Sequence, residues 1–156
     1  MPLIRVEGKD GVRLWKMDGM KELATPPKKA TVIGPPTKLK WFHAPNEGEL
    51  TLFIGTATGF LLLWQQNDVG VFETTVSQRV SEQEILDVAI DNVSDVVRIA
   101  IGTHCGTVQL WNYKTDGALT PEYSVRMEGS IPRGVAFATR SRMESIIVFG
   151  FKDGLV

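Results

Sequence analysis

A five-residue phrase opened and closed by glycine recurs along this chain at a nearly constant interval, and that interval limits the fold more than any other feature. Gly55-Thr-Ala-Thr-Gly59 leads to Trp64, and Gly102-Thr-His-Cys-Gly106 leads to Trp111 with the same spacing. Gly150-Phe-Lys-Asp-Gly154 begins the phrase again just before Val156. The closing glycines Gly59, Gly106 and Gly154 stand 47 and 48 positions apart, and Gly11, ahead of Trp15, stands 48 before Gly59. A period of about 40–50 residues built from short β segments specifies an array of small sheets.

The segments around the glycines read as strands. Leu50 to Ile54, Val96 to Ile101 and Ser145 to Phe149 are short, apolar, rich in β-branched residues and followed by glycine. That combination favours strand over helix. Phe60 to Trp64 and Thr107 to Trp111 follow the closing glycine, so each pair is a hairpin whose turn needs a residue comfortable at positive φ. Asp10-Gly11 and Asp153-Gly154 are good turn dipeptides, whereas Thr58-Gly59 and Cys105-Gly106 are poorer ones. One strand precedes each hairpin: Lys40 to Phe42, Asp87 to Ile90 and Gly134 to Phe137. Another follows it. Glu122 to Met127 alternates, with Tyr123, Val125 and Met127 on one face, and this predicts a half-exposed outer strand. Phe60 to Trp64 is apolar on both faces, as a strand between two sheets must be. Ser81-Glu-Gln-Glu84 has the form of a helix capping box, but the period favours a loop there and then a strand. Four strands per period make a propeller blade.

Composition excludes several function classes. A net charge of −1 gives no electrostatic reason to expect nucleic acid or an anionic membrane as a partner. The single cysteine, Cys105, cannot form an intramolecular disulfide or a cysteine-based zinc cage. The longest apolar run, Phe60 to Trp64, is far below the about 18 residues of a membrane helix. Met1 to Val6 lacks the pattern of a secretory leader. The expectation is an intracellular protein, with cytoplasm and nucleus left open.

Ile101-Gly-Thr-His-Cys-Gly-Thr-Val-Gln-Leu-Trp111 resembles the WD-repeat consensus Ser-Gly-Ser-x-Asp-Gly-Thr-Val-x-Leu-Trp, and Gly134-Val-Ala-Phe137 is similar to its Ser-Val-Ala-Phe strand. The resemblance covers nearly the whole chain and is divergent. No tryptophan is followed by Asp, since the pairs are Trp15-Lys16, Trp64-Gln65 and Trp111-Asn112, and no Gly-His dipeptide precedes the inner strands. What it implies is an all-β, WD40-like β-propeller fragment of about three and a half four-stranded blades. Blade remnants fall in 1–36, blades in 37–80 and 81–128, and a truncated blade in 129–156. Met1 to Glu7 then reads as the second strand of a blade, and Val156 ends early in a third strand. In the family an Asp, His, Ser/Thr and Trp form a network within each blade. Only Thr56 or Thr103 with Trp64 or Trp111 remain as candidate pairs here. Such an arc reads as a piece of a larger propeller, a truncated product or one half of an oligomeric ring, with self-association through open blade edges as a consequence.

No residue pattern points to catalysis. His104-Cys105 lies in a hairpin turn, and the other histidine, His43, is 61 positions away, so no spacing supports zinc. The glycine phrases lack the Gly-Lys-Ser/Thr ending and the strand-to-helix setting of a phosphate loop. No nucleophile elbow, metal or cofactor signature is present. The basic, proline-rich residues 25–40 read as a linker with an outer strand. The resemblance implies a non-catalytic scaffold for protein or peptide partners, the alternatives being a fragment of a larger WD-repeat protein with no function of its own and, less favoured, a propeller enzyme. Partners of the scaffold would engage the face that carries the hairpin turns (Lys9, Thr58, His104 and Lys152) and the inner-strand entrances (Lys38, Asp87 and Arg133).

Overall fold

The computed structural model describes residues 2–7, 11–26, 34–43, 50–93, 96–114, 117–141 and 144–151. Among them the chain is all-β, in four antiparallel sheets. Strands β1 (Pro2–Glu7), β2 (Gly11–Lys16) and β3 (Lys21–Leu23) form the first sheet, with a 3-10 turn, Asp18–Met20, before β3. The second is a meander of β4 (Pro36–His43), β5 (Leu50–Thr56), β6 (Phe60–Gln66) and β7 (Phe72–Arg79). The third repeats it with β8 (Ile85–Val93), β9 (Val96–Thr103), β10 (Thr107–Tyr113) and β11 (Leu119–Arg126). The fourth pairs β12 (Pro132–Ser141) with β13 (Glu144–Phe151). Residues 81–84 hold no helix. The Ser81 hydroxyl instead accepts the Gln83 N–H at 3.1 Å, and β8 begins at Ile85.

Strand alternation sorts the side chains into three cores, each shared by neighbouring sheets. On β5 and β6, Leu52, Ile54, Leu62 and Trp64 join Val12 and Leu14 of the first sheet. Their neighbours Phe53, Leu61 and Leu63 point the other way and join Ile85, Val88, Val97, Ile99, Ile101 and Tyr113 of the third. Ala89 and Ala100 leave the far side of the third sheet to meet Val135 of β12, with Phe137, Ile147 and Phe149 packed around them. A strand buried on both faces needs apolar residues at consecutive positions, which is why Phe60 to Trp64 does not alternate. Each fully buried Leu, Ile or Phe contributes about 1.5–3 kcal/mol. These sheet-to-sheet contacts are therefore the main source of stability.

The first strands of the second, third and fourth sheets lie side by side. β8 packs on β4 and β5, and β12 packs on β8 and β9. Both glycines of the phrase serve this stacking. A Cβ on Gly55 would lie 2.6 Å from Ile85 Cγ2, so the opening glycine admits the next sheet's first strand. Gly102 meets Val135 and Pro132 in the same way. The closing glycine, Gly59, has φ of 84°, and a Cβ there would lie 1.9 Å from the Ser81 carbonyl oxygen. The linker from β7 to β8 crosses directly over the turn, and Gly59 O accepts the N–H groups of Val80 and Ser81 at 2.9 and 3.2 Å. The linker after β11 crosses Gly106 likewise, with Met127 N–H donating to Gly106 O at 3.0 Å.

One expectation fails at the third sheet. Tyr123 shares the alternating apolar face of β11 but is 64% exposed. It stands opposite Leu110, on the side of Ala100 that faces the fourth sheet. That sheet has two strands among the described residues and does not extend over β11.

Candidate functional site

The loops that enter each first strand and the turns that join second to third strands are tied together by repeat-equivalent hydrogen bonds. Ala57 N–H donates to Pro35 O at 2.9 Å, and His104 N–H donates to Glu84 O at 2.9 Å. Turn and entrance therefore lie on one face of the array. Inside each turn a threonine closes the hairpin. Thr56 Oγ1 accepts the Phe60 N–H at 3.0 Å, and Thr103 Oγ1 pairs with Thr107 Oγ1.

The first strands of the second, third and fourth sheets each carry a bulge at the entrance, between Pro36 and Lys38, Ile85 and Asp87, and Pro132 and Gly134. The bulge aligns Lys38 with Asp87 and with Gly134, which places Arg133 at the bulged position one residue earlier. Asp87 is 9% exposed, and both its oxygens are engaged within the chain. Oδ1 accepts the Val88 N–H at 2.9 Å and lies 3.0 Å from Lys38 Nζ. Oδ2 accepts the Val135 N–H at 2.8 Å. One carboxylate thereby joins the first strands of three consecutive sheets. Thr37 adds a further link, its hydroxyl donating to Ile85 O at 2.6 Å.

The seven residues expected on this face have different settings. His104 and Arg133 are exposed. Thr58 is half-buried, its hydroxyl 3.3 Å from that of Thr56, and its side chain lies so close to Gly34 that a Cβ there would be 2.7 Å from Thr58 Cγ2. Lys38 and Asp87 form the inter-sheet clasp. Lys9 and Lys152 lie outside the described residues.

An open cleft of about 640 Å³ adjoins His104. Its walls are the β9–β10 turn, Gln83 of the preceding linker, Arg126 at the end of β11, and the following linker with Met127 and Glu128. His104, Arg126 and Glu128 supply exposed polar groups, and Met127, 36% exposed, supplies an adaptable apolar one. Arg126 and Met127 were read from the sequence only as part of the outer strand, and Glu128 was not singled out; what brings them to the turn is the following linker, where Ser130 O lies over Gly106 as Ser81 O lies over Gly59.

Cys105 opens onto the same cleft. Its thiol lies 3.2 Å from the Ser81 hydroxyl and 3.2 Å from the Thr103 hydroxyl. Burial pushes the thiol pKa up, but hydrogen bonds from Ser81, Thr103 and Thr107 outweigh it and hold the group below the ordinary thiol range. His104 is exposed, whereas Cys105 is half-buried with its thiol against the Ser81 and Thr103 hydroxyls. The expected threonine–tryptophan link is replaced by a relay in the third sheet. Trp111 Nε1 donates to Gln109 Oε1 at 2.8 Å, and Gln109 Nε2 donates to Val80 O at 2.9 Å.

Among the described residues no group of three or more His, Cys, Asp or Glu could hold a metal ion, and no helix is long and apolar enough to cross a membrane. No protein-family model matches the chain, and no curated protein matches it.

Proposed function

We propose that the chain is a segment of a WD-repeat-like β-propeller and acts as a non-catalytic scaffold, holding the turns of successive sheets toward a peptide or a partner protein. The observation that carries this reading is the construction of the turn face. Repeat-equivalent backbone bonds, an inter-sheet carboxylate clasp and glycines without room for a side chain keep the turns at a regular spacing. Rigid presentation reduces the entropy lost when a partner binds. In this reading Lys38 and Asp87 set the geometry, while Thr58, His104, Arg133 and the cleft residues Arg126, Met127 and Glu128 make contact. Donors, an acceptor and one flexible apolar side chain suit recognition of an extended peptide. The function requires no cofactor.

The test is a selection from a random peptide library on the immobilised chain, followed by affinity measurement on variants. Peptides bound through this face lose at least about tenfold in affinity, about 1.4 kcal/mol, with His104→Ala combined with Arg126→Ala. They keep their affinity with Thr75→Ala on the outer strand. Failure to enrich any peptide, or enrichment of peptides indifferent to the His104 and Arg126 changes, would remove the basis of the reading.

A further inference from the structure

The turns of the second and third sheets are built alike but finished differently, and the difference centres on two arginines. Arg79 ends β7 opposite Phe60, and Arg126 ends β11 opposite Thr107, so the two hold the same place beside equivalent turns. Arg79 is satisfied within its own sheet. Its guanidinium lies 6.0 Å from the centre of the Phe60 ring, and its Nε donates to Ser81 O at 3.2 Å. Arg126 has neither support. Thr107 stands in place of the ring, and its hydroxyl pairs with that of Thr103. Among the described residues the Arg126 side chain makes no hydrogen bond or ion pair. Arg79 is exposed beside the four strands of the third sheet, so this is a surface position in the repeat itself.

The surroundings of Arg126 depart from their equivalents in one direction. His104 stands where the second sheet has Ala57, Met127 where it has Val80, and Glu128 where it has Ser81. Each is a longer side chain, exposed where its counterpart is half-buried, and all three line the cleft together with Arg126. A guanidinium fork matches the two oxygens of a carboxylate, and an imidazole N–H donates to the same group. Met127 supplies an adaptable apolar contact. Glu128 is the one acid in the described lining of the cleft. It accepts a neighbouring donor and repels a second negative charge.

We propose that the third-sheet turn is a receptor for one carboxylate side chain, Asp or Glu, of an extended peptide. Arg126 and His104 donate to the carboxylate, and an apolar neighbour of that residue lies on Met127. This rests on the reading of the turn face as a peptide-binding surface and gives that surface a chemistry. Glu128 sets the limit of one charge, which turns away a run of acidic residues or a doubly charged phosphate. The second-sheet turn lacks the same capacity, because Ala57 and Val80 have no polar side chain and Arg79 is held on Phe60.

Two libraries of short randomised peptides test this, identical except that the fixed central residue is Glu in one and Gln in the other. Both are offered together to the immobilised chain. The Glu library is expected to supply the peptides that enrich, and changing that Glu to Gln in a selected peptide weakens binding at least about tenfold. Arg126→Gln brings the Glu and Gln forms to within about twofold of each other while the far-ultraviolet circular dichroism stays unchanged. His104→Ala narrows the preference as well, and serves alone if Arg126→Gln binds too weakly to measure. Arg79→Gln, at the equivalent place on the second sheet, leaves the preference intact. Equal enrichment of both libraries, by peptides that weaken when His104→Ala and Arg126→Ala are combined, overturns the carboxylate assignment and spares the scaffold reading. No enrichment from either library overturns both. A preference that survives Arg126→Gln and His104→Ala, one that Arg79→Gln also removes, or tighter binding of a phosphothreonine form than of the Glu form, each overturns the assignment.

Discussion

The Asp87 carboxylate accepts the main-chain N–H of Val135 at 2.8 Å, so a side chain on the third sheet completes the hydrogen bonding of the first strand of the fourth. Its second oxygen lies 3.0 Å from Lys38 Nζ on the second sheet. Inter-sheet order thus depends on one buried acid as well as on apolar contact. Asp87→Ala leaves the Val135 N–H buried without that acceptor and is expected to cost about 2–4 kcal/mol. Lys38→Met should cost less than about 1 kcal/mol, because the Lys38 side chain is 38% exposed and water replaces much of the pair. Urea denaturation of both variants checks the order. Equal costs would show that the ion pair, and not the main-chain bond, dominates.

Gly59, Gly106 and Gly70 have nearly the same φ, 84°, 81° and 81°, but different neighbours, so alanine substitution separates backbone strain from crowding. At Gly70 nothing lies within 4 Å of an added Cβ, and the cost is the left-handed conformation alone, about 1–2 kcal/mol. At Gly106 the Cβ meets Ser130 O at 2.9 Å and Met127 O at 3.1 Å, which raises the cost to about 2–3 kcal/mol. At Gly59 it would lie 1.9 Å from Ser81 O, and the linker must move; more than about 4 kcal/mol is expected. Chemical denaturation of the three variants should rank Gly59→Ala above Gly106→Ala above Gly70→Ala.

The Cys105 thiol loses its proton more readily in the folded chain than in the unfolded one, because three hydroxyls stabilise the thiolate against the opposing effect of burial. A folded-state pKa below the unfolded value adds stability above the unfolded thiol pKa. That stability is lost as pH falls through the folded value. The pH midpoint of iodoacetamide alkylation should lie below that of the urea-unfolded chain. Ser81→Ala and Thr103→Val should each move it upward. A midpoint unchanged by either substitution would mean that the hydroxyls do not act on the thiol.

The strands and the hairpin turns were legible in the sequence because their causes are local. Alternation places Leu52 and Ile54 on one side of β5 and Phe53 on the other, and only glycine accepts the positive φ at Gly59. Tyr123 was misread for a non-local reason. Its alternation with Glu122 and Ser124 is real, but its exposure depends on how far the neighbouring sheet extends. The bulge at the entrance of β12 was equally hidden, although the period did align Asp87 with Gly134.

By itself the sequence determined the period and the all-β class, since these follow from residue spacing and from the conformational limits of single residues. Only the tertiary structure decided that Asp87 is a buried clasp, that Trp111 bonds to Gln109, and that linker residues around His104 form a cleft. Those outcomes depend on which surfaces meet when sheets stack. Stacking brings together residues far apart in the chain, such as Asp87 and Val135, whose partnership no local pattern records.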